Sequence, residues 1–361
     1  AGVGWLREPS TVTEPPDLLK GGVHDDAQYD AMIPCHSKDA NMLPQVVAWL
    51  RRHAIGLGTI WIVSDSPNVI EPDLMTKYGV VWVAESVFKF RKEGLPRSDI
   101  YQQLLKLFFL DAVPAARRHV LVCDADVLWL RDVEFVDSDG RALYAWGAES
   151  YWDIADRAHG GFGYPDFVSN LLGYGKPHPN RTAVAHHMVF ERTTVNDLVE
   201  YVAARFGPNG NGHPVARMPP EVALTGEWEP WMVFVQAFHT FALPRPSEYD
   251  LYYSFVTATA TATSMAADRE LVWSDFGACC RDGPGLSLEV SVGAEVGAEV
   301  AVGAEVGVAG VSGRPTCNSE DMHDGLGAHF DYIACHRHMR DRNDRMENRP
   351  GKWSGNVGKE Y

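Results

Sequence analysis

His119-Val120-Leu121-Val122-Cys123-Asp124-Ala125-Asp126-Val127-Leu128-Trp129-Leu130 is the stretch that decides how this chain is read. Its short apolar run reads as a buried strand, and the run is interrupted by two aspartates one residue apart. In an open α/β sheet, ligands bind beyond the carboxyl ends of the strands. Two carboxylates at such an end repel each other unless a positive charge sits between them. A hard divalent cation, Mn²⁺ or Mg²⁺, meets that need and also takes phosphate oxygens from a substrate. Asp124 and Asp126 are therefore candidate ligands for a metal–diphosphate. A strand end capped by solvated acids has the same local sequence, so the flanking segments must decide.

Upstream, a helix is predicted from Ser98, a good N-cap, with Ile100, Leu104, Leu107 and Phe108 facing the core. Gln102 and Lys106 are four apart and share a face, with Gln103 beside Lys106. Earlier still, Ala31–Cys35 is a strand candidate followed directly by His36-Ser37-Lys38-Asp39. A helix from about Asn41 carries Leu43, Val46, Val47 and Leu50 at helical spacing and ends at Gly56 and Gly58. Thr59–Ser64, closed by Asp65-Ser66-Pro67, and Gly79–Ala84 are two further strands. Strand, helix, strand, strand, helix, strand is the order of a nucleotide-binding half with a mostly parallel sheet. Neither glycine-rich phosphate-loop pattern occurs, so phosphates must be held by metal and side chains.

Downstream, Ala142–Trp146 is another strand candidate, and residues 150–180, rich in Gly, Tyr, Asp and Pro, suit a long binding loop. In Ala183–Phe190, strand alternation puts His186 and Met188 on one face and His187 on the other. Core histidines with satisfied hydrogen bonds are the default reading; a histidine facing the site would bind a sugar hydroxyl or a diphosphate. Residues 227–231 precede an amphipathic segment running to about Phe241. Ser247 then reads as an N-cap, with Glu248 and Asp250 in the first turn. Acids there complement the helix dipole, or present a carboxylate at a rigid helix start facing a pocket.

The totals bound the rest. At 361 residues and 45% hydrophobic content, the chain supports one large domain or two modest ones. A formal charge of −16 disfavours nucleic acid and anionic lipid as partners. No run of 18 apolar residues encodes a membrane span, and the first residues show no signal-peptide pattern. The compartment is left open between cytoplasm and Golgi or ER lumen. Cys35 and Cys123 fall in apolar strand candidates and read as buried thiols. Cys279, Cys280, Cys317 and Cys335 lack a Cys-x-x-Cys, which argues against zinc and leaves a disulfide open. Asn180-Arg181-Thr182 is a lone glycosylation triplet.

The expected organisation is an extended arm over 1–28, a main domain over 29–284 and an insertion over 285–314. A return to the main domain over 315–345 and a peripheral tail over 346–361 complete it. The insertion repeats Gly-Ala-Glu-Val from positions 293, 297 and 303, a unit too short for a solenoid.

Five short motifs, in order, resemble a GT-A-type glycosyltransferase. They are similar above all to a largely uncharacterised family of Asp-x-Asp sugar transferases known mainly as a domain of unknown function. The motifs are Ile33–Asp39, Tyr101–Leu107, Cys123–Asp126, Ala185–Met188 and Ser247–Tyr252. The glycine-rich insertion departs from the family pattern. The resemblance implies a GT-A-like, Rossmann-like α/β fold with a mixed, mostly parallel central sheet flanked by helices. It also implies a UDP- or GDP-sugar donor, Mn²⁺ or Mg²⁺, and transfer to a hydroxyl of a carbohydrate or glycoprotein acceptor.

Carried over residue by residue, the resemblance makes Asp126 the firmer metal ligand and Asp124 the supporting one. His336 completes the metal sphere, with His338 second. Pro34, His36, Lys38, Ser64 and Asp65 line the nucleoside and phosphates. Gln103 and Lys106 reach the donor sugar or diphosphate, joined by His186 and His187. The metal, with Lys106 or His186, neutralises the departing diphosphate. Glu248, or second Asp250, is the base for an inverting transfer; a retaining enzyme would need no such base.

Two other readings compete. Haloacid-dehalogenase-type phosphatases also use a strand ending in Asp-x-Asp, with the first Asp as nucleophile. There the motif lies on the first strand, whereas about three strands precede it here. A non-catalytic carbohydrate-binding protein would use its Trp-rich loops for stacking, although Trp61, Trp82, Trp129 and Trp273 read as core.

Overall fold

The structure is a computed structural model and describes residues 27–93, 98–148, 164–179, 181–206, 230–234, 246–259, 268–270, 273–275 and 332–334. His336, His338, the Gly-Ala-Glu-Val insertion, the late cysteines, Asn180 and most of the expected arm and 150–163 loop lie outside these residues.

The chain opens with strand β1 (Tyr29–Pro34), helix α1 (Leu43–His53), the short β2 (Ala54–Ile55) and β3 (Leu57–Ser64). Helix α2 (Pro72–Tyr78), strand β4 (Val80–Ala84), helices α3 (Ser98–Leu107) and α4 (Phe109–Ala112), and strand β5 (His119–Cys123) follow. β1, β3 and β5 are buried along their whole lengths. Strands covered on both faces need continuous apolar runs rather than alternation, which is why these segments stood out in the sequence. α1 turns Leu43, Val46, Val47 and Leu50 inward, as their spacing predicts.

After β5 come β6 (Val127–Trp129), β7 (Val133–Glu134), β8 (Tyr144–Ala148), α5 (Tyr164–Leu172), β9 (Arg181–Thr182), β10 (His187–Glu191) and α6 (Arg192–Phe206). Helix α7 (Glu248–Thr259) and strands β11 (Asp268–Glu270), β12 (Trp273–Asp275) and β13 (Tyr332–Ala334) complete the described elements.

The central sheet has the order β10-β5-β1-β3-β4, with β5, β1, β3 and β4 parallel and β10 antiparallel at the edge. One row of paired residues, Met188–Val122–Met32–Trp61–Val81, runs across all five strands. The α/β class and mostly parallel sheet expected from the sequence are thus present. β1 is central: the chain steps from it to β3 and β4 on one side, then returns to β5 on the other. That reversal makes a topological switch point between the carboxyl ends of β1 and β5, where open α/β sheets bind ligands.

The amino end of the sheet is locked by a buried carboxylate. Asp30 accepts from the Thr59 N–H (2.9 Å), the Trp61 indole N–H (3.0 Å) and the Arg117 N–H (2.9 Å). At the same end Arg51 donates to the carbonyls of Leu57 (3.1 Å), Gly58 (2.7 Å) and Tyr78 (2.6 Å), joining α1, β3 and the end of α2. A buried charge is tolerated only when hydrogen-bonded in this way, and the bonds fix the sheet far from its carboxyl end.

Helix α7 lies in the interior. Its first nine residues, Glu248 to Val256, are all buried. A helix covered on every side cannot be amphipathic, and any acid it carries must be paired. Glu248 and Asp250 are both in this position. β13 runs antiparallel to β6, with Tyr332 opposite Trp129 and Ala334 opposite Val127, so a late segment of the chain docks next to the Asp-x-Asp stretch.

Candidate active site

Asp124 is the first residue beyond β5, and the elements around it converge at the switch point. Lys106, in the last turn of α3, places its ammonium 2.5 Å from Asp124 Oδ1 and 2.8 Å from Glu248 Oε1. The same ammonium lies 4.4 Å from the centre of the Tyr249 ring, and the Tyr249 hydroxyl donates weakly to Asp124 Oδ1 at 3.5 Å. On the other side, His186 Nδ1 lies 3.1 Å from Asp124 Oδ2. Three segments distant in sequence therefore meet at one carboxylate.

Local chemistry explains each placement. Ser247 caps α7 as expected: its Oγ accepts the Asp250 N–H at 3.2 Å, and its carbonyl accepts the Leu251 N–H at 3.0 Å. Glu248 thus begins the helix at its positive dipole end, while Lys106 ends α3 at its negative one. Both side chains are almost fully buried, 3% and 4% exposed. Burial pushes the Glu248 carboxyl above its ordinary range, against the opposing pull of Lys106. Burial also works to raise Asp124, but Lys106 and the bond from His186 outweigh it and hold that carboxyl below the usual range. For Lys106, burial favours the neutral amine; Asp124 and Glu248 overcome this and keep it cationic.

His186 departs from the sequence expectation. It is not part of the strand: β10 begins at His187, and His186 has φ +60°, the left-handed region. Alternation therefore does not govern it, and it is not placed with Met188 as a strand neighbour. The turn lets its carbonyl accept the Asp124 N–H at 3.0 Å while its ring reaches the Asp124 side chain. His187 lies in the core. It pairs opposite Cys123, brings Nδ1 to within 2.8 Å of the Ala185 carbonyl and packs edge-on against Trp129 and Phe135.

Asp250 is spent on structure. Its Oδ2 pairs with the Lys176 ammonium at 2.8 Å and its Oδ1 accepts the Ala183 N–H at 2.7 Å, with no exposure. That leaves Glu248 as the carboxylate of the two that borders Asp124.

The remaining expected residues are spread along the carboxyl ends of β1 and β3 and on α3. Pro34 is the buried last residue of β1. His36 is exposed and its Nδ1 accepts the Lys38 N–H at 3.2 Å, capping a short turn over Ser37–Asp39. The Lys38 side chain is largely exposed, 3.8 Å from Asp39. Ser64 is buried and internally satisfied: Oγ donates to the Ser66 carbonyl (2.7 Å) and accepts the Trp82 indole N–H (3.0 Å). Asp65 is exposed beside it. On α3, one turn before Lys106, the amide oxygen of Gln103 is buried with no hydrogen-bond partner. Cys35 and Cys123 are buried thiols; burial, aided by Asp39 and Asp65, pushes Cys35 up to about 12.

Two residues were not singled out from the sequence. Tyr249 is read there only as part of a motif, and Lys176 sits in an irregular segment; neither carries a periodic signal. Both are placed by contacts 74 to 125 residues away in the chain.

Among the described residues, no group of three His, Cys, Asp or Glu side chains converges to enclose a metal ion. Both Asp124 oxygens face cationic or hydrogen-bonding partners. Asp126, half-buried in the turn before β6, is the other carboxylate of the pair. This donor set fits an ion held through one or two carboxylates and the phosphates of a substrate, and does not form a closed protein cage.

The chain matches no protein-family model, and a comparison with curated proteins yields no match. No helix among the described residues is long and apolar enough to cross a membrane.

Proposed function

We propose that this chain is a metal-dependent glycosyltransferase of GT-A type, moving a sugar from a nucleotide-sugar donor to an acceptor hydroxyl. The observation that carries the reading is the position of Asp124 and Asp126. They follow β5 at the switch point beside β1, with Lys106, His186 and Glu248 gathered at the same end. The motif resemblance supplies the donor class; the switch point is where such a donor would lie in an open α/β sheet.

Charge supports the role of a cation. Asp124, Asp126 and Glu248 outnumber Lys106, so a diphosphate entering alone meets a surplus of negative charge. Asp126 would hold Mn²⁺ or Mg²⁺, with His336 proposed beside it. The pairing of Ala334 with Val127 brings β13 next to the residue following Asp126. When bound, such an ion supplies Lewis-acid charge to the departing diphosphate.

The rest of the chemistry falls to the chain's own groups. Asp124, held by His186 through both main chain and side chain, presents an acceptor to the donor's ribose or sugar. His36 and Lys38 border the β1 side of the switch point, where a nucleoside and its phosphates would lie. Gln103 offers a buried acceptor to a sugar hydroxyl. Glu248, its proton affinity raised by burial, takes the proton from the acceptor hydroxyl as that oxygen attacks the sugar, a contribution of about 10²–10⁴ in rate. The reading is therefore of an inverting transfer.

The test is a donor panel: UDP- and GDP-sugars with Mn²⁺ or with EDTA, scored for release of the nucleoside diphosphate, with Asp126→Ala alongside. Release that needs Mn²⁺ and falls about 100-fold or more in the variant supports the reading. No release from any donor, together with hydrolysis of simple phosphate monoesters, would replace it with the phosphatase reading.

A further inference from the structure

We propose that Lys106 is a positioning residue. Its ammonium joins the Asp124 and Glu248 carboxylates and does not touch the donor's diphosphate. This rests on the glycosyltransferase reading, and it reverses the expectation that Lys106 neutralises the leaving group.

A lysine ammonium has three N–H groups and no acceptor. One donates to Asp124 Oδ1 at 2.5 Å, Glu248 Oε1 is ion-paired at 2.8 Å without hydrogen-bond geometry, and the face of the Tyr249 ring lies 4.4 Å away. Little remains to offer a ligand. A phosphate contact would mean abandoning one buried carboxylate, which would be left charged and unpaired.

The arrangement has a use. Lys106 comes from α3, Asp124 from the end of β5 and Glu248 from the start of α7, so one nitrogen ties three elements together. The buried Glu248 and half-buried Asp124 carboxylates would otherwise drive each other apart. With the ammonium between them, the carboxylate on the donor side and the proposed base are held at a fixed separation. Lys106 therefore acts on transfer through Glu248, not on donor affinity.

The experiment uses the full chain and compares wild type, Glu248→Gln, Lys106→Met and the double variant Lys106→Met/Glu248→Gln. Lys106→Met alone strands two buried charges and is expected to melt early. The double variant removes the cation together with one anion and keeps the fold, checked by circular dichroism. Calorimetry with UDP and GDP in the presence of Mn²⁺ reads binding without turnover. The expected result is a dissociation constant in the double variant within about threefold of wild type. Nucleotide release should fall about 100-fold or more in Glu248→Gln, with little further loss when Lys106 is also replaced.

A dissociation constant that rises about tenfold or more in the folded double variant would overturn the proposal, because Lys106 would then be a phosphate ligand. So would a further loss of about tenfold in release when Lys106→Met is added to Glu248→Gln. Both outcomes leave the glycosyltransferase reading standing. A wild-type chain that neither binds UDP or GDP nor releases them from any donor removes that reading, and this proposal with it.

Discussion

Asp124 and His186 hold each other twice. The Asp124 N–H donates to the His186 carbonyl at 3.0 Å, and the His186 ring returns Nδ1 to within 3.1 Å of Asp124 Oδ2. The double link is available only because His186 adopts φ +60°, a conformation that costs an L-residue about 1–2 kcal/mol. Strain of this kind is kept where surrounding structure demands it, and here it aims a ring at the carboxylate just beyond β5.

Replacing His186 separates the backbone from the ring. His186→Gly removes the ring and relieves the left-handed strain, whereas His186→Ala removes the ring and keeps the strain. The glycine variant should therefore be the more stable of the two by about 1 kcal/mol in urea unfolding. Both should lose nucleotide release, because Asp124 loses a partner on Oδ2 in each. Equal stability of the two would mean that the left-handed turn is not held in solution.

The acid side of the stability curve should show two windows near the amino end of β5. Burial works to raise the Glu191 carboxyl, and bonds from Arg118 and Thr193 bring it below its ordinary value. A carboxyl depressed in the folded state contributes stability that is present above its unfolded value, about 4.3, and is lost as pH falls through the folded value. His119, facing Glu191, is depressed by burial despite the nearby charge. Its unfolded form takes up a proton first, so it removes stability as pH falls below about 6.5. The groups that face Glu191 are Arg118, His119, Thr193 and Thr194. In unfolding measured from pH 7 to pH 3, Glu191→Gln should differ from wild type at neutral pH, and the gap should narrow as pH falls below about 4.3. His119→Gln should flatten the upper window. A gap for Glu191→Gln that widens toward low pH would contradict the assigned sign.

The sheet was legible in the sequence because its strands are covered on both faces and appear as apolar runs bounded by glycine or by acids. β1, β3, β4 and β5 fall within a residue or two of their expected bounds. The helix starts at Ser98 and Ser247 were legible from capping chemistry. The stretch before β10 was not. Its apolar composition suggested one strand over Ala183–Phe190, but the backbone turns at His186 to bond Asp124, and no periodicity encodes a long-range bond of that kind. The roles of Lys106, Glu248 and Asp250 were legible only by type. Which acid would border Asp124 and which would be taken up internally depends on the partner each meets: Lys106 for Glu248, Lys176 and the Ala183 N–H for Asp250.

That division between the two acids of α7 gives the sharpest test of the interior. Lys176 and Asp250 are 2% and 0% exposed, and the pair ties the segment leading to β9 onto α7. Breaking such a pair from one side leaves an uncompensated buried charge and costs about 3–5 kcal/mol, whereas removing both partners can be close to neutral. Asp250→Leu should therefore destabilise strongly in denaturant unfolding, and adding Lys176→Met should recover most of the loss. The recovery has a ceiling, because the Ala183 N–H also bonds Asp250 and is left unsatisfied in both variants, a penalty of about 1–3 kcal/mol. The double variant should refold with Glu248, Lys106 and Asp124 in place, and so should bind UDP or GDP with Mn²⁺ as wild type does. If Asp250→Leu unfolded no more readily than wild type, the buried pair would not exist as drawn. If the refolded double variant kept nucleotide binding yet lost release as completely as Glu248→Gln, the transfer would depend on Asp250 as well as on Glu248.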